Sequence, residues 1–279
     1  MPEEGRGFAR VAKVTALLVV VWIVDMVDNL LAHGVQPTPI NLALSFATSV
    51  AMAVFLAWLV PLIRLKLASV VMVLWVNLFA VGYMINYIEG AFFTTMYASV
   101  TSFGIALLRA AVISSVVTAV AVFLLSERGS TAGLLPKLKE HLATRTRRSW
   151  VVRILAGALV YLPIYFFFGL LVTPFVLPYY SNPANGLVIP PFSVIIPVEI
   201  FRGFLFVLVL LPLMAALAGS RNLVFVALAA MLYIPGALVP LFGSGSFPLA
   251  IAPFHGTEIL ADSIVYGFAL SRIIGVGKS

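Results

Sequence analysis

Cysteine is absent from this 279-residue chain. That excludes disulfides, thiolate metal sites and cysteine nucleophiles, and says nothing of redox compartment. Charge is also scarce: Asp, Glu, Lys and Arg make up 10% of the residues, against about 25% in a soluble domain. No Walker motif, dinucleotide fingerprint, His-Glu-x-x-His or Gly-x-Ser-x-Gly occurs. Nucleophilic catalysis has no visible candidate residue. What the chain has in quantity is apolar side chain, 62% of the total. No soluble fold of this length could hide so much. The class is therefore an all-α, polytopic transmembrane helix bundle, with the lipid bilayer as its first partner. The net charge of +7 reads as loop charge, not as nucleic-acid binding.

Eight apolar runs reach the roughly 20 residues that one crossing needs. They lie near 12–33, 40–63, 67–95, 100–126, 151–174, 192–217, 222–243 and 254–276. The first is too long for a signal-peptide core and contains Asp25 and Asp28. Lys and Arg fall at the N-terminus (Arg6, Arg10, Lys13) and at Arg64 and Lys66. They continue through Arg128, Lys137, Lys139, Arg145, Arg147, Arg148 and Arg153 to Arg221, Arg272 and Lys278. The alternate links near 34–39, 96–99, 175–191 and 244–253 hold neither Lys nor Arg. This alternation predicts a multi-pass protein of the cell membrane with both termini cytoplasmic. Residues 1–126 and 151–279 form four-span halves, and 127–150 a basic cytoplasmic link. Lys137 through Arg148 reads as a short basic helix lying near anionic lipid. Tyr179 and Tyr180 fit an interfacial aromatic belt. Pro163, Pro197, Pro212 and Pro235-Gly236 are expected to kink or interrupt spans five to seven.

Against this background the intramembrane charges stand out. Of ten acids, Asp25, Asp28, Glu89, Glu199, Glu258 and Asp262 fall within spans, with Arg109 and Arg202. Counting along each span at 1.5 Å per residue puts all eight about 6–15 Å below the outer surface. Ionisable groups there are costly and need partners. His255, Glu258 and Asp262 share one helical face. Asn86 precedes Glu89 by one turn, as Glu199 precedes Arg202. Asn86 to Phe93 and Glu199 to Phe206 look like variants of one pattern. With the four-plus-four division, this hints at an internal duplication.

The layer has a purely structural reading, in which Arg109 and Arg202 pair two acids while Asn86 and His255 bond others. The excess of acids favours a water-filled pocket opening outward. Three chemistries fit such a pocket. A hard cation could sit among carboxylates. Asp25, Glu89, Glu199, His255 and Glu258 could hold a transition metal. The acids could also relay protons coupled to solute movement. The cofactor thus stays open between none and a divalent or monovalent cation. Cation or small-solute transport stands beside a membrane scaffold. A protein partner or a second copy of the chain is compatible with either.

Two resemblances attach to these motifs. Pro253-Phe-His255-Gly256-Thr-Glu258-Ile-Leu-Ala261, ending in Tyr-Gly267-Phe-Ala-Leu, resembles the C-terminal signature of the stage II sporulation protein M family. That resemblance spans about the last 85 residues and implies a non-enzymatic multispanning protein. Glu199-Ile-Phe-Arg202-Gly203-Phe-Leu-Phe is similar to the Glu, Arg-Gly motif of the CAAX-protease and bacteriocin-processing family. That resemblance implies a metal-dependent intramembrane hydrolase using Glu199, Arg202 and His255. Val198 replaces that family's first Glu, and its terminal His-x-x-x-Asn reads His255 to Ile259 here.

Overall fold

The computed structural model describes residues 3–33, 38–97, 99–126, 130–217, 219–243 and 247–275. Gln36, Pro37, Arg128, Ser244, Ser246 and Lys278 of the links and tail discussed above lie outside the described residues. The described chain is helical: α1 (Glu3–His33), α2 (Pro39–Leu59), α3 (Leu67–Phe79), α4 (Ile85–Phe93), α5 (Val100–Leu125), α6 (Leu134–Ala143), α7 (Arg147–Tyr180), α8 (Phe192–Ala216), α9 (Arg221–Tyr233) and α10 (Ala252–Ile273). A π-helical stretch, Ala80–Met84, joins α3 to α4, and another, Ile234–Gly243, continues α9.

Helix starts follow local chemistry. Thr38, Ser99, Thr146 and Ser220 each accept a backbone N–H of the first turn of α2, α5, α7 and α9, which satisfies donors that a helix leaves unpaired. Seven stretches are long and apolar enough to cross a bilayer: 7–31, 39–62, 67–93, 100–125, 147–180, 192–216 and 221–243. The protein is a multi-pass integral membrane helix bundle. The 22-residue α10 has the length for an eighth crossing, and its ionisable residues lower its apolarity. Glu258 and Asp262 are buried all the same, because α10 packs them inward against α7 and α9.

Most of the prolines do not interrupt their helices. Helices α7 and α8 run unbroken through Pro163, Pro174, Pro178, Pro197 and Pro212. Of the prolines singled out in the sequence, only Pro235-Gly236 coincides with a change of helix type. There the wider π turn relieves the crowding a proline imposes on the preceding turn, and the Gly236 carbonyl accepts 2.6 Å from Asn86 Nδ2.

The basic link and the start of α7 carry more than surface charge. Arg145 donates to the carbonyls of Ile274 (3.0 Å) and Gly275 (3.1 Å), and Arg153 to that of Ile273 (2.6 Å). Both cations therefore cap the C-terminus of α10, where unpaired carbonyls and the helix dipole favour positive charge. At this basic end of the bundle, Leu17, Leu56, Leu59, Val60, Leu74, Leu210, Leu213 and Leu228 are wholly buried in one apolar core.

Two isolated antiparallel bridges tie the first four spans to the later ones. Ile63 pairs with Leu217 at the basic end, and Thr94 with Leu187 at the opposite end. Beside the second, Thr95 N–H donates to the Gly186 carbonyl at 2.9 Å and Val188 N–H to that of Phe93 at 2.8 Å. Gly186 holds φ +64°, and an added Cβ would lie 3.0 Å from Thr95 Oγ1. Gly186→Ala is expected to lower stability by about 1–2 kcal/mol, the cost of a side chain in left-handed backbone. Thermal unfolding in detergent, compared with Gly104→Ala where a Cβ meets nothing within 4 Å, checks this.

A single sequence offset runs through the fold. The same number of residues separates Ile63 from Leu217, Leu67 from Arg221, Ala80 from Ile234 and Gly82 from Gly236. The contacts it relates are reciprocal. A Cβ on Gly82 would face Pro235, and one on Gly236 would face Val81. The third stretch, 67–93, thus lies against the seventh, 221–243, through their π segments. The look-alike sequences Asn86–Phe93 and Glu199–Phe206 are not the pair this offset relates. They sit on the third and sixth stretches.

Candidate functional site

The expected polar residues gather around one cavity of about 1200 Å³. Asp25, Asp28, Asn29, Asn86, Glu89, Arg109, Arg202, His255, Glu258 and Asp262 all line it. It extends from Gly82, Pro235 and Gly236 toward Met96, Tyr97, Leu187 and Phe247 at the end opposite the basic link. None of the buried leucines named above at the basic end lines it. The cavity is thus deep, and that end of the bundle is packed with apolar side chains.

The layer divides into two groups. In the first, Arg109 Nε lies 2.6 Å from Asp28 Oδ1. Asp25 accepts from Ser45 Oγ of α2 and, at 3.4 Å, from Asn29 Nδ2. Asn29 also donates to the Gly243 carbonyl at 3.0 Å, which fastens α1 to the end of the seventh stretch. Serine and asparagine donors here do what hydration would do in water, since buried polar groups must find partners.

The second group centres on Arg202 of α8. Its Nη1 is 2.7 Å from Glu199 Oε2, and its Nη2 is 2.6 Å from Glu89 Oε2. The guanidinium also lies over Tyr161 (5.7 Å) and Phe206 (5.9 Å), a placement that favours a cation. Glu199 is completely buried and does not line the cavity. One helical turn separates it from Arg202, so the two share a helix face and pair, and Arg202 is the member of the pair that borders the cavity. His255 Nδ1 is 2.9 Å from Glu258 Oε2, and the ring meets Tyr180 and Phe247 edge-on at 6.1 and 5.4 Å. Asp262 is 6% exposed, and its Oδ1 is buried without a hydrogen-bond partner. The charged groups around it are Glu258, Glu89, Arg202 and Glu199.

The five residues read as a metal set do not come together. Asp25 belongs to the first group, and Arg202 engages Glu89 and Glu199. Among the described residues no three His, Asp or Glu side chains converge closely enough to hold a metal ion. Of the residues that the hydrolase resemblance implies, Glu199 pairs with Arg202, and His255 pairs with Glu258.

The aromatic lining escaped the sequence reading. Tyr83, Tyr87, Tyr97, Tyr161, Tyr165, Tyr180 and Tyr266 all border the cavity, so Tyr180 is a cavity residue and not only part of an interfacial belt. Residues four apart share a helix face, and Tyr83 with Tyr87, and Tyr161 with Tyr165, carry that spacing. Tyr87 adjoins Asn86 in sequence, and that juxtaposition was the available signal.

These features define a class: a multi-pass membrane protein with a charged, aromatic-lined cavity inside its helix bundle. No family model, no curated protein and no solved structure matches the chain.

Proposed function

We propose that this protein is a non-enzymatic transporter that binds a small solute in its intramembrane cavity. One observation carries the reading: charged side chains from four apolar stretches and α10 meet, and nearly all of them border a single cavity far larger than structural pairing requires. Ionisable residues inside a membrane mark solute or ion pathways by default. The architecture supports the same reading. Parallel repeats whose discontinuous helices meet at the site recur among secondary transporters, and the offset relating the π segments of 67–93 and 221–243 fits a four-plus-four duplication. The charge asymmetry orients the protein with its basic link in the cytoplasm, so the cavity faces outward. The sporulation-M resemblance, which implies a protein without enzymatic activity, agrees with this assignment.

The lack of native cysteine makes the test clean. Single-cysteine variants at the cavity-lining positions Thr173 and Ile259 are treated with a membrane-impermeant maleimide from each side. Both are expected to react quickly from the face opposite the basic link and slowly but measurably from the basic face. A cysteine at the wholly buried Leu213 is expected to stay unmodified. Labelling confined to one face would overturn transport, and lining positions unreactive from both faces would point to a dry scaffold.

A further inference from the structure

The second charged group is short of cations. Among the described residues, the cationic partners of Glu89, Glu199, Glu258 and Asp262 are Arg202 and His255. Arg202 is already shared by two carboxylates, and His255 is taken by Glu258. Asp262 is left over. It lines the cavity, is more than nine-tenths buried, and has an oxygen with no hydrogen-bond partner. A buried carboxylate without a counter-charge is costly, and removing the acid would abolish that cost. The residue is therefore placed to meet a positive group that enters the cavity.

The surroundings limit what that group can be. A hard metal ion needs several oxygens converging at about 2.0–2.6 Å, and among the described residues no such cluster exists. Beside the charged groups around Asp262, the same cavity carries aromatic and apolar wall: Tyr161, Tyr165, Phe166, Ile259 and Tyr266 border it. Aromatic faces attract cations and accept apolar bodies equally well, and lined cavities with few polar groups are the usual form of small-molecule sites. Resting on the transporter reading, we infer that the solute is an organic cation, an amine or onium group on an apolar or aromatic body, with Asp262 as its counter-charge.

Tetraphenylphosphonium is the probe, because its charge is permanent and its size matches that of tetraphenylborate, which carries the opposite charge. Purified full-length protein in nanodiscs is expected to bind the phosphonium saturably at one site, above the uptake of empty nanodiscs. Tetraphenylborate should not compete. Asp262→Asn, which keeps the side-chain shape, should weaken binding about thirty-fold or more, the effect of removing a desolvated charge partner. Tyr165→Leu leaves every charge in place and should weaken it several-fold; this second variant reads the aromatic wall independently should Asp262→Asn not fold. Equal binding of both tetraphenyl ions, or unchanged affinity in a folded Asp262→Asn protein, overturns the inference, as does unchanged affinity in Tyr165→Leu should Asp262→Asn not fold. No phosphonium binding in a protein whose lining cysteines label from both faces also overturns it, and leaves the transporter reading standing. Lining cysteines that never label overturn the transporter reading itself.

Discussion

Arg202→Ala is expected to destabilise the protein by about 3–5 kcal/mol, the range for removing one partner of a buried ion pair. Arg202 is 4% exposed and holds Glu199 and Glu89 at 2.7 and 2.6 Å. Its removal strands Glu199, which is wholly buried and has a second oxygen already unpartnered. Arg109, the other arginine of the layer, is committed to Asp28 and does not replace it. Most of the loss therefore belongs to the abandoned acids and not to the missing guanidinium. The double variant Arg202→Ala/Glu199→Ala separates these contributions. It should recover a large part of the stability lost in Arg202→Ala, since deleting both partners removes the stranded charge. Thermal unfolding of the detergent-purified protein measures both. A single variant within about 0.5 kcal/mol of the parent, the range of uninvolved surface changes, would contradict the pairing described.

Gly203→Val is expected to do comparable damage for a different reason. A Cβ at Gly203 would sit 2.3 Å from the Ala158 carbonyl oxygen and 3.0 Å from Tyr161 Cβ. The first of these atoms is backbone, so no side-chain rotation relieves the clash. Helices α7 and α8 would have to separate. Yet the Tyr266 hydroxyl holds them together, lying 3.0 Å from the Gly157 carbonyl and 3.2 Å from that of Gly203. Close approach through small residues is a main source of helix association in lipid, where the hydrophobic effect contributes little. The expected loss is about 3 kcal/mol, the upper end for overpacking, and Tyr165→Leu offers a comparison that leaves this crossing intact. A Gly203→Val protein that elutes and unfolds like the parent would mean that α7 and α8 do not cross this closely.

Much of the architecture is present in the residue order itself. Apolar runs, basic links and Ser or Thr at helix starts define the bundle and its charge asymmetry, because each depends on neighbours within a turn or two. Asp25, Asp28, Glu89, Arg109, Arg202, Glu258 and Asp262 stand out on the same ground: a charge inside an apolar run is visible without any fold. Partner choice is another matter. Glu199 reads in sequence as equivalent to Glu89, yet one is buried behind Arg202 and the other borders the cavity. Tyr180 reads as an interface residue, yet it meets His255. Pro163 and Pro235 look alike as helix breakers, but only the second coincides with a π segment.

The sequence by itself determined that this chain is a membrane helix bundle with ionisable groups held at depth. Hydropathy and charge are sums over adjacent residues, and lipid imposes them on any arrangement of the helices. The tertiary structure alone decided which charges pair, which one is left over, and that they share a cavity. Those outcomes depend on how far each helix is rotated about its axis and how closely it approaches partners up to 214 residues away, as Asn29 and Gly243 are, and no local pattern encodes either quantity.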